Sequence, residues 1–207
     1  MNTAVCEEFP QYEIPKSNPS TPNSALVVID MQNDFLDPVG ELYLGKRGNA
    51  KQVSYVVNNV IKTINLFKKQ GESVYALQDS HIINDREFHR FPPHCIWGTW
   101  GYRIYPRVYK ALISAHATIL NKFGFNGSHG LWQEIVEGSI ITDIYLTGVT
   151  TDICVFFTAI GLTDYFSEEM IHVVKDSVLE SEFGWGNTTL EMLKSLYGID
   201  TVDSLIK

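Results

Sequence analysis

The chain has 207 residues, of which 44% are hydrophobic and 19% charged, and this size and composition suit one globular domain with a sizeable core. A formal net charge of −8 disfavours nucleic acid or an anionic membrane surface as a partner, and no apolar run reaches the ~20 residues of a transmembrane helix. The three cysteines are odd in number and widely spaced, which does not suit a disulfide framework and favours a reducing, cytoplasmic location.

The first 23 residues differ in character from the rest of the chain. They contain four prolines and lack the apolar core of a secretory signal, so we expect an extended N-terminal arm. The remaining residues, 24–207, are expected to form the folded domain.

From residue 24 onward, short apolar runs alternate with helical patterns of apolar residues. The predicted strands are residues 25–30, 72–79, 117–122, 142–149, 170–178 and 199–203. The predicted helices are residues 49–71, 128–138, 151–166 and 187–197. This alternation predicts a three-layer αβα, Rossmann-like α/β domain around a mostly parallel sheet of about six strands. Residues 80–105 follow neither pattern, and so long an irregular segment is more often functional than idle.

Four reactive side chains lie at or just beyond the ends of predicted strands. They are Asp30, Asp79, Lys122 and Cys154. Taken singly, each has an ordinary structural interpretation as a helix cap, a turn residue, a solvated charge or a small core residue. In doubly wound sheets, however, ligands bind at the carboxyl ends of the strands, so four such residues together predict an active site.

Cys154 is the candidate nucleophile of this site. If the helix begins near residue 151, the thiol lies in its first turn, where the helix dipole and a nearby Lys122 would lower its pKa. The Asp30 carboxylate could then accept the thiol proton. Backbone N–H groups of Thr150 and Cys154 could form an oxyanion hole for a carbonyl under attack.

A second group of residues suggests a metal site. Asp79 and His81 are two apart, so their side chains point the same way in an extended chain, and His94 follows a Pro-Pro pair. Such a set suits Zn²⁺, Fe²⁺ or Mn²⁺, with open positions for water or substrate. Glu87 and His89 are both candidates for an additional ligand, and spacing alone does not separate them.

With these residues in view, the chain resembles the nicotinamidases of the isochorismatase-like cysteine hydrolase superfamily over residues 24 to about 203. The motifs are "VVIDMQNDF", "QDSH", "FPPHCIWGTWG", "NKFGF" and "LTGVTTDICV". The Asp-x-His and Pro-Pro-His elements are particular to nicotinamidases. The resemblance implies a catalytic triad and a set of metal ligands, which are Asp30, Lys122 and Cys154, and Asp79, His81 and His94.

The resemblance also implies further features of the pocket. Glu87 stands at the family's offset for an additional ligand, which favours it over His89. A cis peptide is implied at Val149–Thr150, and an aromatic sandwich around the substrate ring is implied at Phe35, Phe91 and Phe125. The loop from His81 to His94 is shorter than in the family, and the stretch after Lys122 lacks the usual aromatic run.

The implied activity is metal-dependent hydrolysis of nicotinamide to nicotinate and ammonia through a thioester, with one divalent ion, Zn²⁺ before Fe²⁺ or Mn²⁺, in NAD salvage. One alternative is another amidohydrolase of the superfamily, acting on a carbamoyl or ureido compound. The vinyl-ether hydrolysis of isochorismatases needs no cysteine. A catalytically silent binding module is disfavoured, since no G-x-G-x-x-G follows residues 25–30. Neither a nucleic acid nor a membrane is expected as a partner, and homo-oligomerisation stays open.

Overall fold

A computed structural model of the chain describes residues 24–46, 49–138 and 141–206. The predicted N-terminal arm, residues 1–23, lies outside these described residues. Within them, no helix combines the length and the apolar character that crossing a bilayer would require.

Six strands form one sheet with the order β3-β2-β1-β4-β5-β6, and every neighbouring pair is parallel. The strands, β1 to β6 in chain order, are Ser24–Ile29, Ser73–Asp79, Thr118–Lys122, Asp143–Val149, Ile171–Leu179 and Asp200–Val202. The predicted αβα class is therefore confirmed, with a sheet that is parallel throughout. The strand order reverses direction between β1 and β4, which is where a doubly wound sheet opens a crevice for ligands.

The central strand β1 shows why an apolar run becomes a buried strand here. Its residues Ala25 to Ile29 are at most 1% exposed. A parallel strand covered by helices on both faces has no solvent side, so its sequence is continuously apolar and does not alternate. The strand thereby brings its carboxyl end, and Asp30 after it, to the middle of the domain.

The described residues include six α-helices, and the longer ones cover the two faces of the sheet. In chain order, α1 to α6 are Asn33–Leu36, Ala50–Gln70, Pro106–Ser114, Ser128–Gly138, Phe156–Leu162 and Gly186–Tyr197. Apolar residues of α2 and α3 pack in the core on one face, and those of α4, α5 and α6 pack in the core on the other. Helix α2 ends at Gly71, whose φ of 73° is the left-handed conformation that glycine adopts readily.

The structure differs from the predicted elements in three places, of which the first is the four-residue helix α1, which was not predicted. Helix α3 was not predicted, because only three positions, Val108, Ala111 and Leu112, face the core and the helix has 9 residues. The predicted helix 151–166 is not one regular helix, since it begins as a π-helical turn, Thr151–Val155, and continues as α5. Residues 80–105 are largely irregular as predicted, with one short 3₁₀ helix, Arg86–His89.

Gly148 in β4 offers a test of this packing. Its φ is 108°, and an added Cβ would overlap the backbone of Ile29 in β1. We expect Gly148→Ala to lower the free energy of unfolding by roughly 2 kcal/mol or more, because both the backbone conformation and the strand contact are lost. Urea unfolding followed by circular dichroism measures the change.

The matched control is Gly130→Ala in α4, where an added Cβ meets nothing within 4 Å. An alanine in a helix is more favourable than a glycine by roughly 0.5–1 kcal/mol, so this variant should be as stable as the parent or more so. Equal stability of the two variants would contradict the close β1–β4 contact.

Candidate active site

The four reactive residues at the strand ends meet at Lys122. Its ammonium Nζ lies 2.9 Å from Asp30 Oδ2 and 3.0 Å from Asp79 Oδ1. It also lies 3.5 Å from the Cys154 sulfur and donates to the Gly124 carbonyl oxygen at 3.0 Å. The structure thus brings the predicted triad, Asp30, Lys122 and Cys154, into direct contact at the carboxyl edge of the sheet.

Asp30 reaches this position through an unusual backbone conformation. Strand β1 ends at Ile29, and Asp30 has a φ of 52°, a region that residues other than glycine visit rarely. Its N–H donates to the Leu77 carbonyl oxygen at 2.9 Å, so the turn is held against β2. The side chain is fully buried. A carboxylate fixed in this way has little freedom to leave the site.

The charges of the site set the protonation of acid and thiol. Burial raises the pKa of Asp30 to about 6, although the Lys122 ammonium opposes the shift, so the carboxyl is ionised at neutral pH. Burial raises the pKa of the Cys154 thiol well above its usual value, and Lys122 lowers it only in part. The expectation of a lowered thiol pKa is therefore wrong for the resting protein. Asp30 is instead a base beside a protonated thiol.

The predicted metal residues also come together. One donor atom from each of Asp79, His81, Glu87 and His94 lies within 4.8 Å of the others. Asp79 Oδ2 is 3.0 Å from His81 Nε2 and 3.6 Å from His94 Nε2, and Glu87 Oε1 is 3.8 Å from His94 Nε2. Two imidazole nitrogens and two carboxylates at these separations fit a divalent transition metal ion.

Neighbouring groups orient both imidazoles toward this cluster. His81 Nδ1 lies 3.0 Å from an Asp85 carboxylate oxygen, and His94 Nδ1 lies 2.8 Å from the Pro92 carbonyl oxygen. Each contact leaves Nε2 directed at Asp79, as is usual for metal-binding histidines. His89, the rival to Glu87, is exposed and lies outside the cluster, so the geometry favours Glu87.

Several contacts that support the site were missed by the sequence analysis. Gln32 binds the backbone of Asp79 twice, accepting from its N–H and donating to its carbonyl oxygen, both at 2.8 Å. Asp34 accepts from the Cys95 N–H at 2.7 Å and thereby holds the residue after His94. Both residues belong to the motif "VVIDMQNDF", where polar side chains directly after a buried strand were the available signal.

A cavity of about 190 Å³ is lined by Cys154 of the triad and by Asp79, Glu87 and His94 of the four-residue metal cluster. Phe35, Phe91 and Phe125, the predicted aromatic wall, all line it, and so do Thr150 and Cys154, the predicted oxyanion residues. The Val149–Thr150 peptide is cis. Two further parts of the wall, residues 42–44 and residues 180–184, belong to no motif that predicts them from the sequence.

Residues 24–202 match the family model of the isochorismatase domain. The chain belongs to the isochorismatase family of hydrolases. It is 32% identical over 144 residues to an uncharacterized isochorismatase family protein, PncA, of Bacillus subtilis, covering 66% of this chain and 76% of that protein.

Solved structures of the family resemble this fold closely. A nicotinamidase/pyrazinamidase of Bacillus subtilis has a TM-score of 0.77 at 25% identity, covering 87% of this chain and 100% of its own. A pyrazinamidase of Pyrococcus horikoshii in complex with zinc has a TM-score of 0.70 at 27% identity, covering 87% and 99%. An N-carbamoylsarcosine amidase of Thermoplasma acidophilum has a TM-score of 0.72 at 26% identity, covering 89% and 99%.

The metal cluster predicts the composition of the purified protein. We expect about one divalent transition ion per chain, and we expect Glu87→Gln to weaken its binding at least ~10-fold because one donor oxygen is replaced by an amide. Elemental analysis after dialysis against a graded chelator measures the occupancy. His89→Gln is the matched control and should bind as the parent does. Equal losses of metal affinity in the two variants, or no loss in either, would show that Glu87 is not a metal ligand.

The contact between Lys122 and Cys154 predicts the reactivity of the thiol. Lys122→Met removes the cation that lowers the thiol pKa, so alkylation of Cys154 by iodoacetamide at neutral pH should slow by about 10-fold or more for each unit that the pKa rises. Mass spectrometry of the Cys154 peptide measures the rate, and thermal melting checks the fold. An unchanged rate in a folded variant would show that Lys122 does not control the thiol.

Proposed function

We propose that this chain hydrolyses nicotinamide to nicotinate and ammonia and so acts in NAD salvage. The observation that carries the proposal is the arrangement around one small cavity, where a thiol beside a carboxylate base faces a four-residue cluster suited to a metal ion. Four phenylalanines line the same cavity, Phe35, Phe91, Phe125 and Phe183. Its volume lies below the roughly 300–1,000 Å³ of pockets for drug-sized ligands, which suits a single substituted ring.

The proposed roles of the residues follow from their contacts. A divalent ion held by Asp79, His81, Glu87 and His94 would supply a Lewis-acid centre for the pyridine nitrogen of the substrate. Phe35, Phe91 and Phe125 would hold the ring by stacking and edge contacts. The carboxamide carbon would then lie near the Cys154 sulfur.

In the first half of the reaction, Asp30 accepts the thiol proton and the Cys154 sulfur attacks the carboxamide carbon. Backbone N–H groups of Thr150 and Cys154 stabilise the oxyanion that forms. Asp30 then gives its proton to the leaving ammonia, and a thioester remains. In the second half, Asp30 removes a proton from water, which attacks the thioester. The C–S bond breaks, nicotinate leaves, and Asp30 returns the proton to the Cys154 sulfur. Lys122 keeps the carboxylate in place throughout.

The second candidate is hydrolysis of a ureido compound, since one similar structure is an N-carbamoylsarcosine amidase. That substrate carries a carboxylate, which needs a cationic partner in the pocket. Among the described residues that line the cavity, the only lysine or arginine is Lys46. Four acidic residues line the same cavity, Asp79, Glu87, Glu180 and Glu182. The balance of charge favours a neutral amide.

The deciding experiment measures ammonia release from nicotinamide and from N-carbamoylsarcosine by the purified, metal-loaded protein. We expect turnover of nicotinamide, loss of turnover after chelation and recovery on adding back Zn²⁺, Fe²⁺ or Mn²⁺. Preferential turnover of N-carbamoylsarcosine would replace this proposal with the second candidate.

Two substitutions test the proposed chemistry. Asp30→Asn keeps the shape of the side chain but not its basicity, so kcat should fall by ~10⁴-fold, the upper end of general-base effects, because Asp30 acts in both half-reactions.

Cys154→Ala should abolish turnover. The control is Cys95→Ala, which removes a buried thiol that does not line the cavity and should retain most activity. Substantial ammonia release by a folded Cys154→Ala protein would exclude the thioester route.

A further inference from the structure

We infer that Phe183 forms the outer wall of the cavity and limits the size of the amide that enters, and that Ser181 and Asp152 position it. The segment concerned is residues 180–185, which follows β5. Ser181, Phe183 and Gly184 of this segment line the cavity together with Cys154. The identity of the substrate in this inference rests on the proposed function. The position of Phe183 in the cavity wall does not depend on that function.

Asp152 connects this segment to the turn that carries the nucleophile. It lies two residues before Cys154 in the π-helical turn, and its carboxylate accepts two hydrogen bonds from Ser181. The Ser181 N–H donates to Oδ1 at 2.9 Å, and the Ser181 hydroxyl donates to Oδ2 at 2.6 Å. A bidentate contact of this kind restrains both the backbone and the side chain of Ser181.

Two hydrogen bonds connect Ser181 to the backbone of Phe183 and Gly184. The Phe183 N–H donates to the Ser181 hydroxyl oxygen at 3.2 Å, and the Gly184 N–H donates to the Ser181 carbonyl oxygen at 3.3 Å. Gly184 has a φ of 73°, which allows the chain to turn tightly here. At the end of the segment, the Glu180 carboxylate accepts a hydrogen bond from the Gly186 N–H at 2.7 Å. Phe183 is therefore held at a defined place.

The Phe183 ring is partly exposed to solvent at the opening of the cavity. It is 50% exposed, and it stacks on Trp185 with ring centroids 5.7 Å apart and an interplanar angle of 29°. A substrate ring that enters the cavity would cover part of this apolar surface, which favours binding. A bulky substituent on that ring would instead collide with Phe183. The residue therefore contributes to both affinity and size selection.

The first test compares Phe183→Ala with Tyr55→Ala. Tyr55 is a matched control because it is 51% exposed on α2 and does not line the cavity. We expect Phe183→Ala to raise KM for nicotinamide about 3- to 10-fold with little change in kcat, since the lost contact contributes to binding and not to chemistry. Nicotinamides with bulky ring substituents should gain in relative kcat/KM. Identical substrate profiles of the two variants would overturn the assignment.

The second test addresses positioning by Ser181. Ser181→Ala removes the hydroxyl between Asp152 and Phe183, so it should raise KM in the same direction as Phe183→Ala. Ser181→Thr keeps the hydroxyl and should restore a KM close to that of the parent. In the double variant the effects of Ser181→Ala and Phe183→Ala should be less than additive, because both act through the same ring. Full additivity of the two effects on KM would contradict the proposal that Ser181 acts by positioning Phe183.

A third measurement does not depend on turnover. Alkylation of Cys154 by iodoacetamide is compared with alkylation by the bulkier N-phenyl iodoacetamide. Opening the mouth in Phe183→Ala should speed the bulky reagent relative to the small one, and Tyr55→Ala should leave this ratio unchanged. If the parent fails to release ammonia from nicotinamide, the proposed function is wrong, and this ratio still decides whether Phe183 is the wall. An unchanged ratio in Phe183→Ala shows that it is not.

Discussion

The ammonium of Lys122 lies between the Asp30 and Asp79 carboxylates, at 2.9 and 3.0 Å, with 2% of its side chain exposed. Burying a charge is costly unless it is paired, and here each partner is itself buried and would be costly without the lysine. Burial alone would lower the pKa of Lys122, but the charges of the Asp30 and Asp79 carboxylates raise it well above its usual value. The two ion pairs of Lys122 therefore keep the carboxyl ends of β1, β2 and β3 close together.

Asp79 extends the same constraint to the metal cluster. One carboxylate oxygen faces Lys122 and the other faces His81, so the residue belongs to both halves of the site. Its backbone is fixed on both sides by Gln32, a residue beside β1. The distance between the Cys154 thiol and the four-residue metal cluster is consequently fixed, so two groups of one small substrate could be bound at the same time.

The family resemblance implied the interior of the site but not its outer wall. Structures similar to this one include a pyrazinamidase and an N-carbamoylsarcosine amidase, so the shared fold does not by itself select the substrate. In this chain the outer wall is formed by residues 42–44 and 180–184, which are loop segments. Loops can change without disturbing the buried charges at the strand ends, and substrate range can vary with them.

The sequence pattern predicts the fold class and the proximity of Asp30, Asp79, Lys122 and Cys154, but not the contacts of Gln32 and Asp34. Continuous apolar runs such as β1 predict buried parallel strands, and reactive residues placed after such strands must meet at one edge of the sheet. Other features of the site come from the packing of the chain. Distances between segments remote in sequence set the position of His89 outside the cluster, the raised pKa of Cys154 and the contact between Ser181 and Asp152. Burial and charge at such contacts are properties of the packed chain, because they vanish when the segments are apart.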